Sequence, residues 1–170
     1  VHLAESGVKE LILVAQDTTK YGIDLYGELR LSELVKEIAK IDSIEWIRLL
    51  YCYPESITDE LIEVIANESK VCKYIDLPLQ HCNEQVLKRM NRKGNRQYLT
   101  DLINKMRKAI PDLTLRTTFI TGFPGETEEQ FTELCEFINE VQFDRLGCFA
   151  YSPEDGTPAA KFDGQLDDEV

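Results

Sequence analysis

No apolar run in this sequence approaches the ~18 residues that a membrane-spanning helix needs. The first residues, Val-His-Leu-Ala-Glu-Ser, have neither the basic nor the apolar region of a signal peptide. Cysteine is sparse and unpaired in pattern: Cys52, Cys72, Cys82, Cys135 and Cys148 are odd in number, widely spaced and include no C-x-x-C. Neither a disulfide framework nor a zinc site is indicated. Four of them stand in or beside apolar stretches, which predicts core packing in a reducing compartment. Also missing are G-x-x-x-x-G-K-[ST], G-x-G-x-x-G after a strand, G-x-S-x-G and H-E-x-x-H, and the only histidines are His2 and His81. Nucleotide hydrolysis, Rossmann redox chemistry and histidine-based hydrolysis therefore lose ground. Basic residues are in deficit, 19 against 31 acidic ones for a net charge of −12, so nucleic acid is a poor default partner. The expectation is a soluble, cytoplasmic protein. With no initiator Met, and a first residue that reads as lying within a helix, the chain reads as part of something longer.

What is present is enough for one ordinary domain: 170 residues, 43% hydrophobic and 29% charged, outside the disordered range. Short runs rich in β-branched and aromatic residues predict strands at 9–16, 46–52, 74–80, 113–121 and 145–152, nearly continuously apolar in their centres as if covered on both faces. Between them, apolar residues recur on a 3.6 period. Leu31, Leu34, Val35, Ile38 and Ile41 form one stripe, Leu99, Leu102, Ile103, Met106 and Ile110 a second, and Phe131, Leu134, Cys135, Ile138 and Val141 a third. Shorter helices are predicted at 59–67 and at 84–90, the latter with Asn83 as N-cap, and Thr127 with Gln130 has the form of a capping box.

Strand-helix alternation at roughly 30 to 40 residues per unit is the pattern of βαβ crossovers, and hence of an α/β protein with a parallel sheet. A constant crossover sense would curl it into a barrel or part of one, and a change of sense would give a doubly wound sheet. The pattern leaves both open. Either way the strand C-termini form the functional face. The core is read as 1–152, and 153–170 as an acidic exit segment.

Polar residues gather where the predicted strands finish: Gln16-Asp17-Thr18-Thr19, Tyr53-Pro54-Glu55, Gln80-His81, Gly122-Phe123-Pro124-Gly125-Glu126 and Tyr151-Ser152. Such groups lose hydration unless a partner replaces it, so they either cap helices and turns or meet a bound polar ligand. Arg116, in an otherwise apolar strand, must meet an anion or an internal acceptor. Residues 88–108 carry eight basic side chains against Asp101 alone, read first as a solvated helix face and second as a docking surface.

The segments VKELILVAQDTTKYGIDLYGE, EWIRLLYCYPESIT, YIDLPLQHCNEQVLKRMNR, LRTTFITGFPGETEEQF and GCFAYSPEDGTPAA resemble, in that order, the core of the radical S-adenosylmethionine methylthiotransferase family. The similarity runs from about Gly7 to Ala160. Ala15-Gln16-Asp17 and Gln80-His81-Cys82 favour the branch that modifies an aspartate of a small-subunit ribosomal protein over the branch that modifies tRNA adenosine.

The resemblance implies a partial (βα) TIM-like barrel lacking its first strand, with S-adenosylmethionine across the strand C-termini on one iron of a [4Fe-4S] cluster. It also implies a 5′-deoxyadenosyl radical that takes hydrogen from the aspartate β-carbon, and a second cluster elsewhere in the parent. By matching strands, Gln16 and Asp17 fall to the methionyl or ribose end of the cofactor. Gln80, His81 and Arg116 fall to its polar groups or, for the last two, to a substrate carboxylate, and Phe149 to Tyr151 fall to the adenine edge. One departure stands out: the family's C-x-x-x-C-x-x-C loop is absent, so no cluster ligands are assigned in this chain. The parent's expected partner is the ribosomal protein or the ribosome, with nucleic acid contact secondary and no membrane. The exposed first strand also invites dimerisation. Alternatives are tRNA adenosine methylthiolation, an unrelated barrel domain binding an anionic small molecule, and a ribosome-docking scaffold.

Overall fold

The structure, a computed structural model, describes residues 2–166. Five strands, β1 (Glu10–Leu13), β2 (Trp46–Leu49), β3 (Val71–Asp76), β4 (Thr114–Thr121) and β5 (Arg145–Ala150), form one sheet in the order of the chain, with every neighbouring pair parallel. This is the barrel-type winding, left open between β1 and β5 among the described residues. The sense of winding does not reverse, so the doubly wound alternative falls.

Four helices begin where the sequence supplies a side-chain cap, whereas α3 (Leu31–Ala39) opens after Arg30 without one. Thr58 opens α4 (Asp59–Asn67) by accepting from Leu61 N–H, and Asn83 opens α5 (Glu84–Arg89) by accepting from Gln85 and Val86. Asn95 does the same for α6 (Arg96–Ala109), and Thr127 with Gln130 makes the expected capping box at α7 (Glu128–Val141). Two single-turn helices, α1 (His2–Glu5) and α2 (Ile23–Tyr26), precede α3 (Leu31–Ala39). Val1 lies outside the described residues.

The helices cover one face of the sheet only. Along β4, Leu115, Thr117 and Phe119 are fully buried beneath them, while Arg116 on the opposite face is exposed. The same alternation sets Ile47 and Leu49 against Arg48 on β2. The expectation of strands covered on both faces is thus corrected: the second face is concave, carries Arg48, Tyr74, Asp76, Arg116 and Thr118, and is partly open. Phe119, Phe137 and Phe143 meet edge-to-face at centroid distances of 5.7 to 6.4 Å and anchor α7 to the sheet. At the sheet edge, Ile12 and Val14 are exposed.

The structure also places the basic stretch and the described part of the C-terminal segment. The basic residues of 88–108 are not simply a solvated face: Arg96 pairs with Glu136 and Glu140, Lys105 with Asp59, and Arg107 caps the end of α7 through the Val141 and Gln142 carbonyls. The acidic segment, in turn, folds back as far as it is described. Phe162 packs on Phe123 at 6.3 Å and the Gly164 carbonyl accepts from Gly125 N–H at 2.8 Å, which seats the segment on the loop after β4. Asp167, Asp168 and Glu169 lie outside the described residues. Of the cysteines, Cys52 and Cys82 are buried, Cys72 and Cys135 are partly covered, and Cys148 is exposed on β5.

Candidate functional site

The C-terminal ends of the strands surround an open cavity of about 720 Å³, within the range of cofactor sites. Its wall comprises Ala15 and Gln16 after β1, Tyr51 and Tyr53 after β2, and Asp76, Pro78 and Gln80 at and after β3. Arg92 beyond α5, Arg116 and Thr118 on β4, and Phe149 on β5 complete it. Four of the seven residues singled out from the sequence, Gln16, Gln80, Arg116 and Phe149, are brought together here. The other three, Asp17, His81 and Tyr151, lie behind the wall.

Two residues of the wall hold an unusual backbone. Tyr51 (φ 55°) and Gln80 (φ 71°) are both left-handed, a conformation that side chains with a Cβ seldom adopt. Each is pinned from two sides. Gln80 donates its N–H to the Thr118 carbonyl and accepts at its own carbonyl from Ile120, while Tyr51 donates to Asp76 Oδ2 at 3.0 Å and accepts from Thr18 N–H. Strain of about 1–3 kcal/mol per residue persists only where the surroundings over-determine it, and here it aims both side chains at one cavity.

Behind the wall, His81 and Glu126 form a buried clamp. His81 Nδ1 accepts from Asn83 N–H at 2.9 Å, which leaves the ring proton on Nε2, 3.1 Å from Glu126 Oε1; Glu126 Oε2 accepts from Phe123 N–H at 3.1 Å. Both ring nitrogens are occupied, so His81 positions the Gly122–Glu126 loop rather than facing the cavity. Gly125 in that loop is left-handed (φ 75°), and the Arg89 guanidinium occupies the place its Cβ would take. Asp17 caps the turn at Thr18–Lys20 by accepting from Thr19, and Tyr151 packs on Phe123 at 5.3 Å.

Among the described residues, three buried polar atoms near the strand ends have no hydrogen-bond partner: Gln80 Oε1, Tyr151 OH and Asp17 Oδ2. The Lys20 ammonium lies 3.2 Å from Asp17 Oδ2 but is not directed at it as a donor. Each such atom costs about 1–3 kcal/mol unless something else supplies the bond. Of the three, Gln80 is the one whose residue lines the cavity, where a bound polar ligand can supply the missing bond.

Two guanidinium groups line the cavity. Arg92, within the basic run of 88–108, stacks 4.3 Å from the Tyr53 ring centroid and donates to the Pro78 carbonyl at 2.9 Å. It has no carboxylate partner among the described residues. Only the fold, by returning the chain from α5 over Tyr53, sets it apart from its neighbours. Arg116 donates from Nη1 to Asp76 Oδ1 at 2.6 Å; this bond is the main cause raising its guanidinium pKa above the ordinary arginine value.

The cysteines offer no metal site. Burial pushes the Cys52 thiol up to about 12, with Asp76 and Asp17 adding to it, and burial likewise pushes Cys82 up to about 12. Both stay protonated at neutral pH, and it is the thiolate that binds metal. Among the described residues no three His, Cys, Asp or Glu side chains converge as metal ligands.

The model of the radical SAM superfamily matches residues 1–138. The chain is 59% identical over 165 residues to the ribosomal protein uS12 methylthiotransferase RimO of Alkaliphilus oremlandii, and 58% identical over 168 residues to that of Desulfitobacterium hafniense. These alignments cover 97% and 99% of this chain and 38% of each relative, so the chain spans about two fifths of their length. Among solved structures, coproporphyrinogen III oxidase HemN from Escherichia coli is similar with a TM-score of 0.61, 20% identity and coverage of 82% of this chain and 32% of that one. The radical S-adenosylmethionine methyltransferase TsrM from Kitasatospora setae is similar with a TM-score of 0.63, 15% identity and coverage of 86% and 28%. At those identities the structural likeness speaks to the fold alone.

Proposed function

The chain belongs to the radical SAM superfamily, and from that membership we propose that it forms the central part of an enzyme that adds a methylthio group to the β-carbon of an aspartate in ribosomal protein uS12. The observation that carries this reading is the 54–59% identity, over nearly the whole chain, to uS12 methylthiotransferases. The cavity supports it from the residues upward.

S-adenosylmethionine is a flat aromatic base, a ribose, and an amino acid that bears a carboxylate. The residues present fit that mixture. The unpartnered Gln80 Oε1, together with Gln16, suits the polar groups of ribose and methionine, and Asp17 and Tyr151 lie behind them. Arg92 suits the carboxylate, and Phe149, 63% exposed at the cavity, suits the adenine ring. When bound, the cofactor supplies a radical through one-electron cleavage of its sulfonium. This chain's own residues hold and orient it, and the strained Gln80 and Tyr51 backbones keep those contacts from relaxing. The residues described here do not fit an iron-sulfur cluster, since no three ligands converge and the two buried thiols are protonated.

A full-length protein carrying this sequence, reconstituted anaerobically with iron and sulfide, is to be incubated separately with recombinant uS12 and with tRNA, and both are to be weighed by mass spectrometry. A methylthio increment on uS12 is expected. An increment on tRNA with uS12 unchanged would overturn the assignment in favour of the tRNA-modifying branch.

A further inference from the structure

Arg116 lies deeper in the concave face than the residues fitted to the cofactor. Gln80 stands level with Phe119 and Phe149 with Ile120, whereas Asp76, Arg116 and Arg145 share a row three to four residues nearer the strand N-termini. At about 3.3 Å per residue that is roughly 10 Å below the rim.

The row carries more positive than negative charge. Asp76 is 1% exposed and accepts from both Arg116 Nη1 and Tyr51 N–H, so its carboxylate is satisfied. Directly across the next strand pair Arg145 faces Arg116, and like charges so placed destabilise a sheet unless an anion joins them. Asp144, beside Arg145, does not serve, because its carboxylate accepts from Leu115 N–H at 2.8 Å at the base of the strands. Glu10, on the same face, is taken by Arg48 at 2.7 Å. Arg116 is 44% exposed, and among the described residues its guanidinium makes no bond other than that to Asp76. With Nη1 fixed, the edge formed by Nε and Nη2 remains free, which is the fork that receives a carboxylate through two parallel bonds.

We propose that Arg116, oriented by Asp76, is the specificity-determining residue that receives the carboxylate of the substrate aspartate. The inference rests on the functional reading above and adds to it the group that tells aspartate from a neutral side chain. Asp76 is a positioning residue: it holds the fork in one orientation and leaves the cofactor's contacts at the rim untouched.

The test uses the reconstituted full-length protein, with S-adenosylmethionine, uS12, and uS12 whose target aspartate is changed to asparagine as probes. Titration calorimetry of wild type, Arg116→Gln and Arg116→Lys is to be combined with KM and kcat for uS12. For Arg116→Gln, S-adenosylmethionine affinity within about twofold of wild type and uS12 binding weaker by about tenfold to hundredfold are expected. Wild type should bind the asparagine form of uS12 more weakly by a similar factor, and Arg116→Gln should bind both forms alike, a non-additivity that a merely structural role would not produce. Arg116→Lys keeps the charge without the fork and should discriminate to an intermediate degree. It decides the matter if the glutamine variant does not fold. Discrimination that persists undiminished in either variant, or a loss confined to S-adenosylmethionine binding, overturns the proposal. A wild-type protein that ignores uS12 overturns the functional reading itself, and unchanged KM in Arg116→Gln overturns only the role of Arg116.

Discussion

His81 Nε2 and Glu126 Oε1 meet at 3.1 Å, with the two side chains 0% and 3% exposed, and so join the end of the β3 loop to the loop after β4. A buried carboxylate is tolerable only while its donors remain.

Replacing His81 by Ala removes one of the two donors seen on Glu126 and opens a hole at a fully buried position. A loss of about 2–4 kcal/mol in unfolding free energy is expected, read from urea melts. Thr127→Ala, which removes only an exposed cap, should cost about 1 kcal/mol. Equal costs for the two would show that the clamp contributes little.

Gln80 separates strain from binding. Glycine at this position removes the steric cost of the left-handed backbone but loosens the unfolded chain by a similar amount, so Gln80→Gly should leave stability within about 1 kcal/mol of wild type. The same change deletes the amide at the rim, and S-adenosylmethionine affinity should fall by about tenfold. Thermal melts and equilibrium dialysis on the same preparation check both halves.

Cys52 and Cys82 should resist a maleimide at pH 8 in the folded protein and react on unfolding, whereas Cys148 should react at once. Their folded pKa values, about 12, lie above the ordinary 9.0. Between those values the unfolded chain has released protons that the folded chain still holds. Stability from these thiols is therefore complete below about pH 9 and declines as the pH rises towards 12. Cys52→Ala combined with Cys82→Ala should flatten that alkaline decline in a pH series of urea melts.

This chain by itself should not assemble a [4Fe-4S] cluster. Anaerobic reconstitution followed by iron analysis and electron paramagnetic resonance should give sub-stoichiometric iron without a cluster signal. A full complement of four irons per chain would contradict the absence of converging thiolates.

The fold was legible because its signals are local. Caps at Asn83 and Thr127 and three apolar stripes mark the helices, and short apolar runs mark the strands. The third strand is the exception: the sequence places it at 74–80, and it runs Val71–Asp76. Beyond Asp76 the chain stays extended, but Pro78 has no N–H to donate and Gln80 turns left-handed, so the regular ladder stops. At its start, Lys73 reads as polar, yet its ammonium folds back onto the Ile65 and Glu68 carbonyls and leaves the strand intact. The site was half legible. Gln16, Gln80 and Phe149 are visible as polar or aromatic residues at strand ends, but Asp76 gains its meaning only from a partner forty residues away on the next strand. Arg92 is hidden among other basic residues that find partners elsewhere.

The sheet lies in the order in which it is written, and that order governs how the molecule comes into being. A chain emerging from the ribosome N-terminus first can add each strand to one already in place, without waiting for a distant segment and with only the closure of its own crossover to overcome. β5 then arrives last, bringing Phe149 and Tyr151, and Phe162 follows to cover the loop that His81 has fixed. The rim of the cavity is thus completed only once β5 has joined the four strands before it.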